Sequence, residues 1–344
     1  MLYSKHCVLW LLLAFLNLWC QAFEPVTLTA AAAAAISGIG VSLGWWKRDF
    51  LMGITFCRLN ECCRKPYLKA NVEELRLLLK NHLYGQHIVQ DVLVNAIGAH
   101  FDNIESSRKP LVMSFHGTSG TGKNFVSDFV ASALYQNGIG SKFVHKFTAG
   151  ETKKDLADKV KETIKNCPQS LFIFDEIEKM STGIFDDIVS LLDHHSSMKG
   201  YDFSKAIFIF LTNTAGIEIA KKLKSLLDSG RYRDETKLPD FERIAELGAY
   251  NVEGGLYHST VIDSHVIDHF VPFLPLEARH VELCIIKEFK NFCIVEPKEA
   301  DVRDIIKKSM TIDDTGMFSN NGCKRISKKV ESHCYKNNIL KRKT

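Results

Sequence analysis

The chain has 344 residues, long enough for two or three domains, and its 46% hydrophobic and 10% aromatic residues can build a substantial core. A formal net charge of +4 over this length does not indicate a nucleic-acid-binding protein, so no nucleic acid partner is expected. The ten cysteines include no C-x-x-C pair, which argues against a zinc ribbon or a thioredoxin motif.

Residues 1–22 have the pattern of a secretory signal peptide. Lys5 precedes an apolar stretch over residues 7–19, and Cys-Gln-Ala at residues 20–22 is typical of a cleavage site. A retained membrane anchor is the alternative. Two of the ten cysteines fall in this segment, and the other eight, together with a signal peptide, favour an oxidising compartment with disulfide bonds. The connectivity of those bonds does not follow from the sequence.

Residues 23–50 form a hydrophobic segment that we expect to associate with a membrane surface. Its uncharged part, residues 28–46, is just long enough to span a bilayer but is rich in Ala and Gly. Lys47 and Arg48 would favour a span that places the rest of the chain in the cytosol, whereas the cysteines oppose that orientation. We therefore expect the segment to lie in the lumenal leaflet, with its two tryptophans at the interface.

A cysteine-bearing connector, residues 51–70, leads to a nucleotide-binding domain expected over residues 71–270. Asn71 and Glu74 form a capping-box pattern that begins a helix, and a second helix runs through residues 89–96. Between them, Tyr-Gly-Gln-His at residues 84–87 indicates a helix–helix turn.

Residues 111–124, LVMSFHGTSGTGKN, combine an apolar strand, a glycine-rich loop and the start of a helix. In such a unit the loop N–H groups and the helix dipole point at an anion, and Lys123 can reach the outer phosphates of a nucleotide. Asn124 stands where a Ser or Thr hydroxyl normally reaches magnesium, and it is kept as a candidate magnesium ligand. The expected phosphate-binding residues are Gly117, Thr118, Ser119, Gly120, Thr121, Gly122, Lys123 and Asn124.

The next motif is LFIFDE, residues 171–176, an apolar run that suits a strand buried in a parallel sheet and ends in two carboxylates. Asp175 can hold magnesium through its water shell, and Glu176 can orient and deprotonate the attacking water. A helix N-cap is the alternative role for this pair. A third strand, residues 206–212, ends at Asn213, whose amide is placed to touch the γ-phosphate or the water. These strands and their polar ends predict a nucleotide hydrolase.

The remaining elements predict a parallel sheet with helices on both faces and the ligand at the carboxyl ends of the strands. They are a strand near residues 143–147 and helices over residues 153–165, 184–192 and 217–227. Pro272 and Pro275 precede a helix over residues 276–289, and they mark the start of a small helical C-terminal domain expected over residues 271–344.

These motifs together resemble those of the torsins, which are AAA+ ATPases of the endoplasmic reticulum lumen and nuclear envelope related to the Clp-type unfoldases. The resemblance runs from about residue 57 to about residue 334 and includes the unusual Asn124. It rests on GTSGTGKN, LFIFDEIEKM, FIFLTN, HFVPFLPLE and the late Gly322-Cys323-Lys324. It implies an α/β fold, namely a P-loop AAA+ three-layer αβα domain followed by a small helical lid, with ATP and Mg²⁺ as ligands.

The resemblance also implies roles for individual residues and for partners. Lys123 would be the Walker A lysine, Asp175 and Glu176 the Walker B pair, Asn213 sensor 1 and Lys324 sensor 2. Cys284 and Cys323 match a torsin cysteine pair that can form a disulfide, which implies redox control of the neighbouring Lys324. Torsins borrow an arginine from the lumenal domain of a transmembrane activator related to lamina-associated polypeptide. A homo- or hetero-oligomer is also expected.

Two features limit this interpretation. Residues 148–152, where threading unfoldases carry an aromatic-Gly pore loop, contain no aromatic residue. Arg231 and Arg233 lie in a polar loop and are expected to be solvated, so no arginine is placed as a catalytic finger and turnover without an activator should be slow.

The sequence therefore predicts a torsin-like ATPase of the endoplasmic reticulum lumen and perinuclear space that remodels proteins or membranes. The alternative is an ATP-gated assembly protein with negligible hydrolysis, which Asn124 favours and Glu176 opposes. A cytosolic or mitochondrial ATPase acting on nucleic acid is opposed by the signal segment and by the near-neutral charge.

Overall fold

The computed structural model describes residues 57, 60–64, 68–192, 200–251, 254–257, 260–263 and 265–341. The expected signal peptide, the hydrophobic segment at residues 23–50 and most of the connector lie outside the described residues. The chain divides into the units Met1–Asn60 and Glu61–Thr344, and the strands and helices described here belong to the second unit. No helix among the described residues is long and apolar enough to cross a membrane.

The strands and helices that the sequence predicts are all present, with differences of a few residues at their ends, and the structure adds further elements. The strands are β1 (Leu111–His116), β2 (Val144–Phe147), β3 (Leu171–Phe174), β4 (Ile207–Thr212) and β5 (His269–Pro272). The helices are α1 (Val72–His82), α2 (His87–Asp102), α3 (Lys123–Leu134), α4 (Lys153–Asn166), α5 (Asp186–Leu192), α6 (Gly216–Asp228), α7 (Glu242–Asn251), α8 (Thr260–Asp263), α9 (Ala278–Phe292), α10 (Glu299–Ser309) and α11 (Ile326–Lys336).

The five strands form a parallel sheet in the order β2-β3-β4-β1-β5. Every residue of the three central strands β1, β3 and β4 is buried, as their continuous apolar sequences predict. In the register of the sheet His116 lies opposite Thr212, and Phe174 lies opposite Phe210. The residues that follow these three strands therefore emerge together at one edge of the sheet.

Helices cover both faces of the sheet, so the domain has the expected three layers. Alternate strand residues point to opposite faces. Met113 and Phe115 pack with residues of α1, α2, α3 and α6, whereas Phe174 and Phe210 pack with residues of α4 and α5 on the other face. The rings of Phe174 and Phe210 stack with centroids 5.0 Å apart, and Phe185 contacts both rings edge-on. Burial of each such side chain contributes about 1.5–3 kcal/mol.

The edge strand β5 lies in the HFVPFLPLE stretch, where the sequence analysis assigned no strand. It pairs with β1 and runs two residues past the expected domain boundary at residue 270. Pro272 is tolerated because it ends an edge strand, where the N–H of the next residue, Phe273, donates to the carbonyl oxygen of His116. The helices α9, α10 and α11 follow as a small lid with its own apolar core, which includes Val281, Ile285 and Val330.

Disulfide bonds link distant parts of the chain, as expected for an oxidising compartment. Cys63 in the connector bonds to Cys167 at the end of α4, with a sequence separation of 104. Within the lid, Cys284 on α9 bonds to Cys323 in the loop before α11. A second lid bond joins Cys293 to Cys334, which lies on α11.

Candidate nucleotide-binding site

The glycine-rich loop leaves β1 and ends at the first residue of α3. Gly120 and Gly122 have φ angles of +81° and +109°, a region of backbone conformation that strongly favours glycine. Lys123 is buried, and its ammonium group donates to the carbonyl oxygens of Gly117 at 2.6 Å and Thr118 at 3.0 Å. Burial lowers the pKa of Lys123 to about 8, and the carboxylates of the site oppose that shift. A charged group is thus held at the base of the loop, where phosphates are expected.

Asn213, which follows β4, is held from two sides. Its side-chain oxygen accepts a hydrogen bond from Lys123 Nζ at 3.0 Å, and its Nδ2 donates to Glu178 Oε1 at 2.6 Å. Glu178 Oε2 also accepts a hydrogen bond from the Thr212 hydroxyl at 2.9 Å. The sequence analysis missed Glu178, although it stands within LFIFDEIEKM only three residues after Asp175. Its carboxylate sets the direction of the expected sensor 1 amide.

Asp175 and Asn124 meet beside the loop, in contact with a lysine that the sequence analysis did not identify. Asn124 Nδ2 donates to Asp175 Oδ1 at 3.3 Å. Lys146 on β2 donates to Asn124 Oδ1 at 2.7 Å and lies 3.0 Å from Asp175 Oδ2. Carboxylate and amide oxygens are the hard ligands that Mg²⁺ prefers, so the residues present fit the expected ion. Among the described residues, no cluster of three or more His, Cys, Asp or Glu forms a self-contained metal site.

Glu176 takes a left-handed backbone conformation with φ of +54° immediately after Asp175. Non-glycine residues in this region cost about 1–3 kcal/mol and occur often at functional sites. Its carboxylate lies 2.8 Å from Lys179 Nζ and makes no hydrogen bond that caps the short 3-10 helix Ile177–Lys179. The side chain thus does not act as the N-cap that was its alternative role.

The lid meets the glycine-rich loop at backbone level. The N–H of Cys323 donates to the carbonyl oxygen of Gly120. A Cβ atom at Gly120 would lie 2.0 Å from the carbonyl oxygen of Asn321, so only glycine fits at this position. Lys324 follows Cys323 directly and lowers the pKa of Lys123 electrostatically, although burial is the larger cause of that shift. Lys324 therefore approaches the loop from the lid.

A cavity of about 400 Å³ lies between the loop, the strand ends and the lid, a volume within the range of small-molecule sites. Gly117 and Thr118 are not part of its lining, and their carbonyl groups accept hydrogen bonds from Lys123. The other expected site residues all contribute to the lining, namely Ser119, Gly120, Thr121, Gly122, Lys123, Asn124, Asp175, Glu176, Asn213, Cys284, Cys323 and Lys324. The apolar part of the lining includes Leu83, Tyr84, Phe125, Leu276 and Ile326.

The turn at residues 84–87 is attached to both the loop and the extension of β5. Gln86 is buried and donates to the carbonyl oxygens of Thr121 at 3.2 Å and Leu274 at 2.8 Å. Its own side-chain oxygen accepts a hydrogen bond from the Leu274 N–H at 2.9 Å. The predicted helix–helix turn is confirmed, and it also braces the phosphate-binding loop.

The expectation that Arg233 is solvated is wrong. Its side chain is 2% exposed, donates to the carbonyl oxygen of Gly85 at 2.7 Å and lies 3.1 Å from Glu277 at the start of the lid. The sequence around Arg233 does not indicate that the side chain is buried, because its partner Glu277 lies 44 residues further along the chain. Arg231 remains at the surface, where it binds Asp240 at 2.9 Å. In the part of the chain that the structure describes, no arginine lines the cavity.

The fold and the site define a P-loop ATPase of the AAA+ class. The family model "AAA domain (Cdc48 subfamily)" matches residues 141–247. A closed-state structure of Hsp104 with ATPγS and FITC casein aligns with a TM-score of 0.54 and 16% identity over 77% of this chain and 47% of that chain. An S. cerevisiae Hsp104–ADP complex aligns with a TM-score of 0.56 and 16% identity over 85% and 52%. This chain spans about half the length of those chains, and the likeness shows the fold.

The sequence relatives are more specific. The Torsin family model matches residues 57–174. A torsin-like protein of Drosophila melanogaster is 41% identical over 338 residues, which cover 94% of this chain and 96% of that protein. A torsin-like protein of Caenorhabditis elegans is 37% identical, with 85% of each chain covered. Torsin-3A of Rattus norvegicus is 33% identical, with 85% of this chain and 78% of that protein covered. The protein therefore belongs to the torsin family.

Proposed function

We propose that this protein is an ATP hydrolase of the endoplasmic reticulum lumen and perinuclear space, which remodels proteins or membranes with the help of a transmembrane activator. The observation that carries the ATPase activity is the arrangement of Lys123, Asp175, Glu176 and Asn213 at one edge of the sheet. Lys324 reaches the same cavity from the lid. Each side chain is of the type that phosphoryl transfer to water requires.

The chemistry follows from these positions. Phosphate oxygens would replace the carbonyl groups of Gly117 and Thr118 as partners of the Lys123 ammonium, which favours ATP binding because a buried charge gains a charged partner. Asn213 would orient the γ-phosphate or the attacking water. Glu176 would leave Lys179 and take a proton from that water. Asp175 and Asn124 would hold Mg²⁺, which supplies charge stabilisation to the phosphates.

The dependence on an activator is supported by the arginines of the structure. Arginine fingers contribute about 10³–10⁵ in rate to related enzymes. No arginine lines the cavity within the described residues, and Arg233 is already bound to Gly85 and Glu277. We therefore propose that the lumenal domain of a transmembrane activator supplies the arginine to a homo- or hetero-oligomer of this protein.

The membrane association rests on the sequence alone. Residues 28–46 would tie the protein to the lumenal leaflet without crossing the bilayer. In sealed microsomes, a tag placed before residue 28 and a tag placed after residue 49 should both resist protease. Digestion of either tag would contradict the proposed topology.

A second candidate is an ATP-gated assembly protein with negligible hydrolysis. The ion pair between Glu176 and Lys179 at 2.8 Å favours it, because the carboxylate must leave the ammonium group before it can orient a water. Asn124 in place of a hydroxyl residue favours it as well.

ATP turnover by the purified protein, alone and with lumenal domains of candidate activators, separates these proposals. We expect slow turnover alone and strong stimulation by the correct activator. Glu176→Gln should retain ATP binding, lose about 10²–10⁴ in activated rate and hold the activator more tightly. The exposed carboxylate Glu218 on α6 provides a matched control, and Glu218→Gln should behave as the wild type.

Near-wild-type activated turnover in Glu176→Gln would reject its role as the base. ATP-dependent self-association without stimulated turnover would favour the assembly protein instead.

A further inference from the structure

The two expected magnesium ligands are both occupied by one ammonium group. Lys146 Nζ is 2.7 Å from Asn124 Oδ1 and 3.0 Å from Asp175 Oδ2. The amide of Asn124 closes the triangle with its bond to Asp175 Oδ1 at 3.3 Å. Three side chains from β2, α3 and the end of β3 thus place a positive charge between the oxygens that would face a divalent cation.

This contact is more enclosed than an ordinary surface ion pair. The side chain of Lys146 is 31% exposed and that of Asp175 is 15% exposed, so solvent screens their attraction less. Asp128 on α3 adds a second carboxylate to the surroundings. Burial raises the pKa of Asp128, whereas Lys146 acts in the opposite direction. Lys146 therefore offsets the negative charge of both Asp175 and Asp128.

Lys146 offsets part of the negative charge at this site. Without a metal ion, the carboxylates of Asp175 and Glu176 would repel a triphosphate in the cavity that they line. An ammonium group paired with Asp175 removes part of that repulsion before any metal arrives. A lysine side chain is long and flexible, so it can also withdraw when a divalent cation takes the same oxygens. Magnesium and the ammonium group cannot both occupy this position, because like charges at contact repel each other strongly.

We propose that Lys146 is the resident counter-cation of Asp175. It holds Asp175 and Asn124 in place in the metal-free site, permits ATP to bind without magnesium, and is displaced when Mg²⁺ enters. This inference rests on the proposed ATPase function and concerns how the same site manages its metal.

The test is the ATP affinity of the purified full chain, measured by equilibrium binding in EDTA and in saturating MgCl₂. Lys146→Met removes the charge and keeps the apolar part of the side chain. The variant should bind ATP about tenfold more weakly than the wild type in EDTA and at least equally well in MgCl₂. At fixed ATP, the variant should also need less magnesium for half-saturation, because no ammonium group has to be displaced.

Lys159 on α4 offers a matched control. Its ammonium group lies over the ring of Phe147, the residue that follows Lys146 on β2. Lys159→Met should leave both affinities and their ratio unchanged. Thermal unfolding of both variants checks that they are folded.

Three outcomes would overturn the proposal. An equal loss of affinity in both buffers would make Lys146 a direct phosphate ligand. Unchanged affinity in both buffers would mean that the ion pair has no role in nucleotide binding. If the wild-type protein binds ATP neither in EDTA nor in MgCl₂, the ATPase function is rejected together with this inference. That result differs from the first two outcomes, in which the wild-type protein binds ATP.

Discussion

The backbone N–H of Cys323 lies 3.1 Å from the carbonyl oxygen of Gly120, to which it donates a hydrogen bond. This bond joins the lid directly to the phosphate-binding loop. A Cβ atom on Gly322 would lie 2.2 Å from the same oxygen. The close approach therefore requires glycine on both sides, and the lid cannot shift at this point without moving the loop.

Substitution of Gly322 should disturb nucleotide binding. Gly322→Ala puts a methyl group against Gly120, so we expect ATP affinity to fall at least about tenfold. Gly316→Ala is the control, because Gly316 also has a positive φ, +75°, but has open space around its Cβ position. Both variants should lose roughly 1–2 kcal/mol of stability from backbone strain. Equal ATP affinities in the two variants would contradict the coupling between lid and loop.

Glu178 is expected to act as a positioning residue for Asn213. Glu178→Ala removes the acceptor for the Asn213 amide and for the Thr212 hydroxyl, so the activated kcat should fall about tenfold or more. The ATP affinity should change much less, because Lys123 and the loop remain. Glu178→Gln keeps one acceptor oxygen and should recover part of kcat. A change confined to thermal stability would indicate that Glu178 is only structural.

The two arginines of the loop at residues 231–233 should differ strongly in their effect on stability. Arg233→Met removes the buried donor to the Gly85 carbonyl and leaves Glu277 to pair with the exposed Arg279, and we expect a loss of about 1–3 kcal/mol in the free energy of unfolding. Arg231→Met removes a pair with Asp240 at the surface and should change the free energy of unfolding much less. Urea unfolding measures both, and similar losses would argue against a buried role for Arg233.

The depressed pKa of Lys123 should make nucleotide binding depend on pH. In the free protein, Lys123 is protonated below about pH 8 and neutral above that pH. Bound phosphates favour the protonated, charged form. ATP affinity should therefore fall as the pH rises above about 8, with proton uptake on binding. Calorimetry near pH 9 in two buffers of different ionisation enthalpy measures that uptake.

Lys123→Arg stays charged and should show no such uptake. The lowered pKa of Lys123 also predicts the direction in which the stability of the fold changes with pH. The unfolded chain binds more protons between the folded pKa of about 8 and the ordinary lysine pKa of 10.5, so the contribution of Lys123 to stability rises with pH in that window. A pH-independent affinity in the wild type would contradict the assignment of Lys123 to the phosphates.

Reduction of the Cys284–Cys323 bond should weaken ATP binding, because Lys324 is then held less firmly at the cavity. The bond closes a loop with a sequence separation of 39, and a loop of this size contributes roughly 3–4 kcal/mol on the chain-entropy model. ATP affinity in oxidised and reduced glutathione buffers measures the response. Cys323→Ser should abolish the response. Cys293→Ser removes the other lid bond, with a separation of 41, and should preserve it.

The central strands and the residues directly after them could be predicted because their signals are local. An apolar run predicts a buried strand, and the parallel register then places Asp175 and Asn213 at the same edge. The glycine-rich loop carries its own sequence pattern. The sequence relatives confirm the family that these motifs indicate.

The residues that escaped prediction have partners far away in the chain. Lys146 belongs to no sequence motif. Its contacts with Asn124 and Asp175 could not be predicted, because they depend on the pairing of β2 with β3. Arg233 was predicted to be solvated because the sequence of its loop does not indicate its partner, Glu277. The strand β5 was not predicted because Pro272 normally indicates the end of regular structure. A proline fits here because the strand lies at the edge of the sheet and ends at this residue.

The Cys63–Cys167 bond makes the chain between these residues a covalent ring, which contains α1, α2, β1, the phosphate-binding loop, α3, β2 and α4. Tension applied to the chain ahead of Cys63 passes through this bond to the residues just before β3. It therefore bypasses α1 and α2, which would otherwise be the first elements to unravel. If residues 28–46 hold the protein to a membrane, pulling against that attachment strains the sheet beside Asp175 and leaves the ring intact.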